Sequence, residues 1–351
     1  MKRFLIVRLG ALGDVVHAIP VAAALRRAFP DSRIDWLVSA KHREILDLVP
    51  VIDRRLVIND RAGATGGSSL AAAVRELRAA RYDVVLDLQG LIKSALLARS
   101  TGAPRVIGFA ARYARESLAR LFYTEVYDPG RGGSFDPRET RHTVVINLAM
   151  LETLGISAIA PEFPIEAVQS AAASQVARQV GGRYALLNPG AAWPNKRWPP
   201  ARFGALASAI RERTGLPSVV LWGPGERALA DQVVAAASGA ATASPPTTIA
   251  DLVALARGAS LLVSGDTGPT HVASAVGTPI VGIYGPTRPS RNGPVGSRDV
   301  AVSRDAICVC HHLRRCSRDR MCLLDIEVDE VASAVETVLS RLSSAVTSTD
   351  D

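Results

Sequence analysis

Two consecutive parallel α/β domains are the fold this sequence predicts, and three observations lead to it. Short β-rich runs alternate with Ala-, Arg- and Leu-rich helical stretches from the first residue onward. The alternation pauses in a Pro-, Ala- and Gly-rich middle and then restarts. At 351 residues with 48% of them hydrophobic, the chain also exceeds what one core usually organises.

In the first half, strands are expected from Arg3 to Leu9, Ile34 to Val38, Arg55 to Ile58, Val84 to Asp87 and Val106 to Phe109. Helices fill the gaps; one of them, Val15 to Ala28, keeps Val15, Ile19, Ala22, Ala23 and Arg26 at helical spacing. The second half restarts with strands at Tyr184 to Leu187, Ser218 to Trp222, Leu261 to Ser264 and Ile280 to Ile283. Between them lie the Pro-rich Gly155 to Pro164, a helix expected over Glu166 to Val180, and Gly181-Gly182. This division predicts an N-terminal domain over 1–160, a C-terminal domain over 161–327, a last helix over 328–342 and a disordered tail over 343–351. Sheets of this kind place ligands at the carboxyl ends of their strands, and two of them place ligands in the cleft between domains.

The formal charge of +8 and a pI near 9.7 call for an anionic partner. The 17 aromatic residues are not interleaved with the basic clusters, which argues against nucleic acid. Phe4-Leu5-Ile6-Val7 is too short for a signal-peptide core, and no run approaches the roughly 20 apolar residues of a membrane span, so a cytoplasmic protein is expected.

The chemistry concentrates at strand ends. Ser264-Gly265-Asp266-Thr267-Gly268-Pro269-Thr270-His271 joins a buried strand to a helix, with Pro269 placed in the first turn. That helix start offers N–H groups and a positive dipole end to a phosphate, while the Asp266 carboxylate suits sugar hydroxyls. A ligand with both parts is a nucleotide sugar. Arg8-Leu9-Gly10-Ala11-Leu12-Gly13-Asp14 turns from the first strand into the first helix, where Asp14 either caps that helix or works in the site. A dinucleotide fingerprint with Asp35 as the ribose acid competes there, but the spacing is G-x-x-G, not G-x-G-x-x-G. Asn188 to Pro199 presents Lys196 and Arg197 beside backbone N–H groups suited to a diphosphate, and Glu226 either binds ribose or starts its helix.

Asp87-Leu88-Gln89-Gly90-Leu91-Ile92-Lys93-Ser94 lacks the pattern of an NTPase phosphate loop. Lys93, Arg54, Arg55, Arg105, Arg112, Arg115, Arg120, Arg131, Arg138 and Arg141 load the first domain with positive charge, as a site for a multiply anionic acceptor or as a generally basic surface. No D-x-D pair is present to clamp a magnesium-bound diphosphate. Cys308, Cys310, Cys316 and Cys322, with His311 and His312, are dense enough to hold zinc or iron. Their C-x-C spacing is unlike a zinc knuckle, and buried reduced thiols are the reading preferred to a metal.

Taken together these motifs resemble glycosyltransferase family 9, the ADP-heptose:lipopolysaccharide heptosyltransferases. The resemblance runs from Met1 to about Ser340 and rests on Gly13-Asp14-Val15-Val16-His17, Asp266 to His271 and Tyr284-Gly285-Pro286-Thr287. Asp87 to Ser94 and Arg115 to Tyr123 are most like the heptosyltransferase I branch. The resemblance implies a GT-B fold, two Rossmann-like domains facing across a cleft, and an inverting, metal-independent transfer from ADP-heptose to Kdo on lipid A. It implies Asp14 as base and Lys196 as the group that meets the leaving ADP. Ala191, Ala192, Lys196, Glu226, Asp266, Thr267, Gly268 and His271 then bind the donor, and Gly13, His17, Gln89, Lys93 and Arg115 bind the anionic acceptor. It further implies peripheral association with the inner face of the cytoplasmic membrane, and it leaves the oligomeric state open.

The chain departs from heptosyltransferase I at Ala191 and Ala192, where that branch has two threonines, and in its cysteine cluster, which is more like heptosyltransferase II. Within the same family, another nucleotide sugar or a protein acceptor is the alternative; outside catalysis, it is a nucleotide-sugar-binding protein.

Overall fold

In the computed structural model, residues 1–59, 66–130, 132–157, 159–311, 313–316, 318 and 320–347 are described. The first unit, Met1–Glu166, holds strands β1 (Arg3–Val7), β2 (Arg33–Ser39), β3 (Arg54–Ile58), β4 (Val84–Asp87), β5 (Arg105–Phe109) and β6 (Glu125–Tyr127). The second, Ala167–Asp351, holds β7 (Ala185–Asn188), β8 (Ser218–Val220), β9 (Ala241–Ala243), β10 (Leu261–Gly265), β11 (Ile280–Tyr284) and β12 (Val300–Ser303).

All pairings are parallel, and the spatial orders are β3-β2-β1-β4-β5-β6 and β12-β11-β10-β7-β8-β9. Counted from its own first strand, each unit therefore has the order 3-2-1-4-5-6 of a Rossmann fold. The direction of winding reverses between β1 and β4 in the first unit and between β7 and β10 in the second. Those two crevices are where ligands of such sheets bind.

Apolar continuity explains the central strands. Phe4, Leu5, Ile6 and Val7 are fully buried, as are Leu261, Leu262 and Val263, because helices cover both faces of a parallel sheet. Strands β6, β9 and β12 were not anticipated. They have three or four residues and lie at sheet edges or carry polar residues, leaving too little pattern to recognise.

The expected helix from Val15 to Ala28 is instead two helices, Leu12–Val16 and Ile19–Ala28. Pro20 accounts for the break: it has no N–H to give the Val16 carbonyl, and its ring would collide with it. The helix expected from Glu166 starts at Ala171, where Ser170 Oγ accepts the Ala173 N–H at 2.9 Å; the Glu166 N–H goes instead to the Leu48 carbonyl at 2.9 Å. The last helix runs Val328–Thr347, so 343–347 is helical and not the disordered tail expected there. Residues 348–351 lie outside the described residues.

Candidate functional site

In the first unit, the loop after β1 carries Arg8 to Asp14, and the loop after β4 carries Asp87 to Lys93. Gln89 joins them: its buried Oε1 accepts the N–H groups of Leu9 at 2.9 Å and Gly10 at 3.2 Å. Gln89, expected to bind the acceptor, thus holds the turn after β1 in place. Asp14 stands in the first turn of Leu12–Val16, where Oδ2 accepts the Ala11 N–H at 3.1 Å and Oδ1 pairs with Arg8 Nη2 at 2.9 Å. The N-cap position expected of Asp14 belongs to Ala11; Asp14, third in the helix, accepts the Ala11 N–H with its side chain, which stays 32% exposed. Arg8 was not singled out from the sequence. It is buried at the end of an apolar strand, donates to the Leu88 carbonyl and keeps Nε without a partner among the described residues. A charged residue inside such a run was the available signal.

Gly13 and His17 are buried, and the His17 ring meets His142 edge-on at 5.1 Å. Asp87 closes β4, where Oδ1 accepts from the Gln89 and Gly90 N–H groups at 2.9 and 3.3 Å. Its Oδ2 accepts from Ser94 Oγ at 2.8 Å and Tyr123 OH at 2.9 Å. Burial pushes the Asp87 carboxyl above its usual range, although these four donors oppose the shift. Gly90 has φ +68°, and a Cβ there would come within 3.0 Å of the Arg115 nitrogen, so only glycine fits this close approach.

The basic residues separate by partner. Arg105 pairs with Glu125, Arg112 with Asp128, Arg138 with Asp136, Arg141 with Glu139 and Arg54 with Glu76, while Arg55 donates to the carbonyls of Leu46, Val49 and Ile52. Lys93, Arg115 and Arg120 are exposed and make no ion pair among the described residues. Arg131 lies outside the described residues. Most of the positive charge read as one acceptor site thus braces the unit itself. The dinucleotide alternative also loses its ribose acid. Asp35 is fully buried at the amino end of β2, opposite Leu5, and accepts from Arg33 Nε at 2.9 Å and Tyr82 OH at 2.7 Å.

In the second unit, the loops after β7 and β10 build the corresponding crevice. Lys196 ends a short 3-10 turn, Pro194–Lys196, and its Nζ lies 2.6 Å from Asp266 Oδ2 and 4.5 Å from the centre of the Trp193 ring. His271 Nε2 is 3.0 Å from Asp266 Oδ1. Burial alone would push the Asp266 carboxyl up, but the His271 hydrogen bond and the Lys196 charge hold it far below the usual carboxylate range. Gly265 lets the two loops close on each other, since a Cβ there would stand 3.2 Å from the Lys196 carbonyl oxygen.

Thr267 is the extended residue before the helix Gly268–Ala275 and does not cap it. Its hydroxyl joins Asn188 Nδ2 at 3.0 Å, Ser264 Oγ at 3.2 Å and Thr270 Oγ1 at 3.1 Å. Neither the Thr267 nor the Gly268 N–H meets a protein acceptor among the described residues, so the helix start remains open to an anion. Asn188, Ser264 and Thr270, which set this geometry, were missed because their role exists only once two strands adjoin.

Ala191 is buried, Ala192 is exposed, and Arg197 donates to the Ala191 carbonyl at 2.8 Å. Glu226 precedes its helix, accepts the Gly223 N–H at 3.1 Å and lies so near Gly190 that any side chain at 190 would overlap its carboxylate. Cys308, Cys310 and Cys322 are buried with Cys316 packed on them, all as free thiols; burial pushes the Cys310 thiol up to about 12.

The model described as glycosyltransferase family 9 (heptosyltransferase) matches residues 70–321. The chain belongs to glycosyltransferase family 9. It is 31% identical over 316 residues to lipopolysaccharide heptosyltransferase 1 of Pseudomonas aeruginosa, covering 87% of this chain and 85% of that one. With lipopolysaccharide heptosyltransferase 1 of Escherichia coli K12 it shares 28% identity, over 85% of this chain and 92% of the other.

Among solved structures, a family 9 glycosyltransferase from Veillonella parvula aligns with TM-score 0.78 and 26% identity over 97% of both chains. The E. coli heptosyltransferase WaaC with ADP aligns with TM-score 0.76 and 23% identity, over 96% of this chain and 100% of that one. This family 9 member is a glycosyltransferase with the GT-B fold class, built from two Rossmann-like units.

Proposed function

We propose that this glycosyltransferase transfers L-glycero-D-manno-heptose from ADP-heptose to the Kdo/inner-core region of lipopolysaccharide, with inversion at the anomeric carbon. The observation that carries the reading is the second-unit crevice, where an ammonium, an uncapped helix start and a carboxylate stand within one cluster. The names of the relatives support the sugar and the acceptor.

Lys196 has three N–H donors, and Asp266 engages one, so two remain for diphosphate oxygens. Asp266 gives one acceptance to Lys196 and one to His271, and each oxygen retains capacity for a heptose hydroxyl. As the sugar–phosphate bond breaks, charge on the departing ADP falls to Lys196 and the Thr267 and Gly268 N–H groups. Ala191 and Ala192 contribute backbone only, and Glu226 is offered to the ribose hydroxyls.

In the first unit, Asp14 accepts the proton of the attacking acceptor hydroxyl, and Arg8 fixes the direction of its carboxylate. Gly13, His17 and Gln89 shape that crevice, while Lys93 and Arg115 meet Kdo carboxylates and lipid A phosphates.

No helix among the described residues is long and apolar enough to cross a membrane. The enzyme is proposed to work in the cytoplasm, peripherally at the inner face of the cytoplasmic membrane, and salt should weaken that attachment.

The test is ADP release from ADP-heptose with and without Kdo-lipid A stripped of its acyl chains. Acceptor-dependent release is expected. If ADP binds but none is released, the proposal is overturned in favour of another sugar, a protein acceptor or a binding protein.

A further inference from the structure

All four cysteines of the chain meet in one place in the second unit, and nothing in the transfer chemistry uses them. Cys308 and Cys310 Sγ stand 3.5 Å apart, Cys322 is buried in the same cluster, and Cys316 packs against it. A disulfide needs sulfurs about 2 Å apart. Four thiolates about 2.3 Å from a tetrahedral zinc lie about 3.8 Å from one another. The Cys308–Cys310 spacing is close to the second arrangement.

We propose that these four thiols form a binding site for one thiophilic divalent cation of the zinc type, as a closed structural centre. Among the described residues, no group of three or more His, Cys, Asp or Glu side chains is already placed to hold a metal ion. The cation therefore has to draw the thiols inward, and Cys316, in the segment between Cys310 and Cys322, has the freedom of a partly exposed position.

Three further features fit the proposal. Two sulfurs already receive hydrogen bonds of the kind that stabilise thiolates: Cys310 N–H to Cys308 Sγ at 3.4 Å and Asn195 Nδ2 to Cys310 Sγ at 3.6 Å. Four thiolates around a divalent cation leave two net negative charges, and the segment joining Cys310 to Cys322 supplies Arg314, Arg315, Arg318 and Arg320. Glycine at 285 makes room for the cluster, because a Cβ there would come within 2.9 Å of Cys322 Sγ.

Binding releases the thiol protons to solvent and forms four metal–sulfur bonds without any change of oxidation state. With all four positions filled by protein, no position is open for a substrate. The centre instead braces the donor site, since Asn195 both touches Cys310 and donates to the Leu313 carbonyl at 2.9 Å immediately before Lys196.

Cobalt(II) is the probe for the test, added to full-length protein freed of metal under reductant after its four thiols have been counted in denaturant. The expected result is the sulfur-to-cobalt charge-transfer band and the intense visible bands of tetrahedral tetrathiolate cobalt, saturating at one cobalt per chain. Zinc should abolish the spectrum and protect the thiols from a disulfide reagent. Cys316→Ser should weaken and shift the bands. This side chain is only partly buried, and the wild-type spectrum stands whether or not the variant folds. Absence of the bands, a spectrum unchanged in Cys316→Ser, or fewer than four thiols in protein purified without reductant would overturn the proposal. None of these readouts involves sugar transfer, so their failure is separate from failure of the proposed activity.

Discussion

Asp87 and Asp266 occupy corresponding places in the two units, at the carboxyl end of the fourth strand beside the crevice, yet their pKa values are moved in opposite directions. Asp87 is surrounded by neutral donors, and burial pushes its carboxyl up; Asp266 lies between a lysine and a histidine, and its carboxyl is held far down. One topology thus supports two kinds of site. In the first unit, the buried carboxylate shapes a turn while a different one, Asp14, stays 32% exposed; in the second, the buried carboxylate is itself the centre of the crevice proposed to hold the donor. The partner of each carboxylate, more than its position in the fold, sets its role.

The sharpest test of this contrast is Asp14→Ala. Transfer should fall by about 10²–10⁴-fold, the usual value of a positioned base, while calorimetry shows ADP affinity nearly unchanged. Substantial residual turnover would remove the distinction between the two crevices.

Lys196→Ala should act on the other side, lowering kcat by about 10²–10³-fold and weakening donor binding. It also breaks a buried pair and should cost about 3–5 kcal/mol in urea unfolding. The pH dependence supplies the sign. Because the folded state lowers the Asp266 pKa, its stabilisation is complete above about pH 4 and is lost as pH falls toward the lowered value. Lys196→Ala should therefore move acid unfolding, followed by circular dichroism, to higher pH.

Asp87→Asn tests the opposite case. The folded state raises this pKa, so the stability contributed by Asp87 is present below about pH 4 and is lost as pH rises through the raised value. With one oxygen, the amide cannot accept from Ser94 and Tyr123 as well as from the Gln89 and Gly90 N–H groups, which should cost about 1–3 kcal/mol and flatten that pH dependence in denaturant titrations.

The smallest effect is expected at Trp193. Removing its ring from over the Lys196 ammonium with Trp193→Ala should cost about 0.5–2 kcal/mol, read as a several-fold higher donor KM with kcat little changed. A large fall in kcat would mean that the ring does more than hold the ammonium.

Much of the fold was legible because both halves repeat apolar strand, polar loop and amphipathic helix, and because burial on both faces makes central strands apolar throughout. The breaks were less legible. Helical spacing from Val15 onward outweighed the one residue, Pro20, that divides the helix, and Ser170 marked a later start for the helix that ends at Val180.

For the sites, sequence alone determined which residue types stand at the strand ends: Asp14, Lys93, Lys196, Asp266 and His271, all in loops where small residues let a backbone approach a ligand. Tertiary structure alone decided their partners. It tied Lys196 to Asp266 across 70 residues, turned Gln89 back to hold Leu9 and Gly10, and gave most of the arginines of the first unit to its own carboxylates and carbonyls. The physical reason is that a local pattern fixes where a charge sits along the chain. Its ionisation and availability depend on desolvation and on contacts that exist only after distant strands have paired.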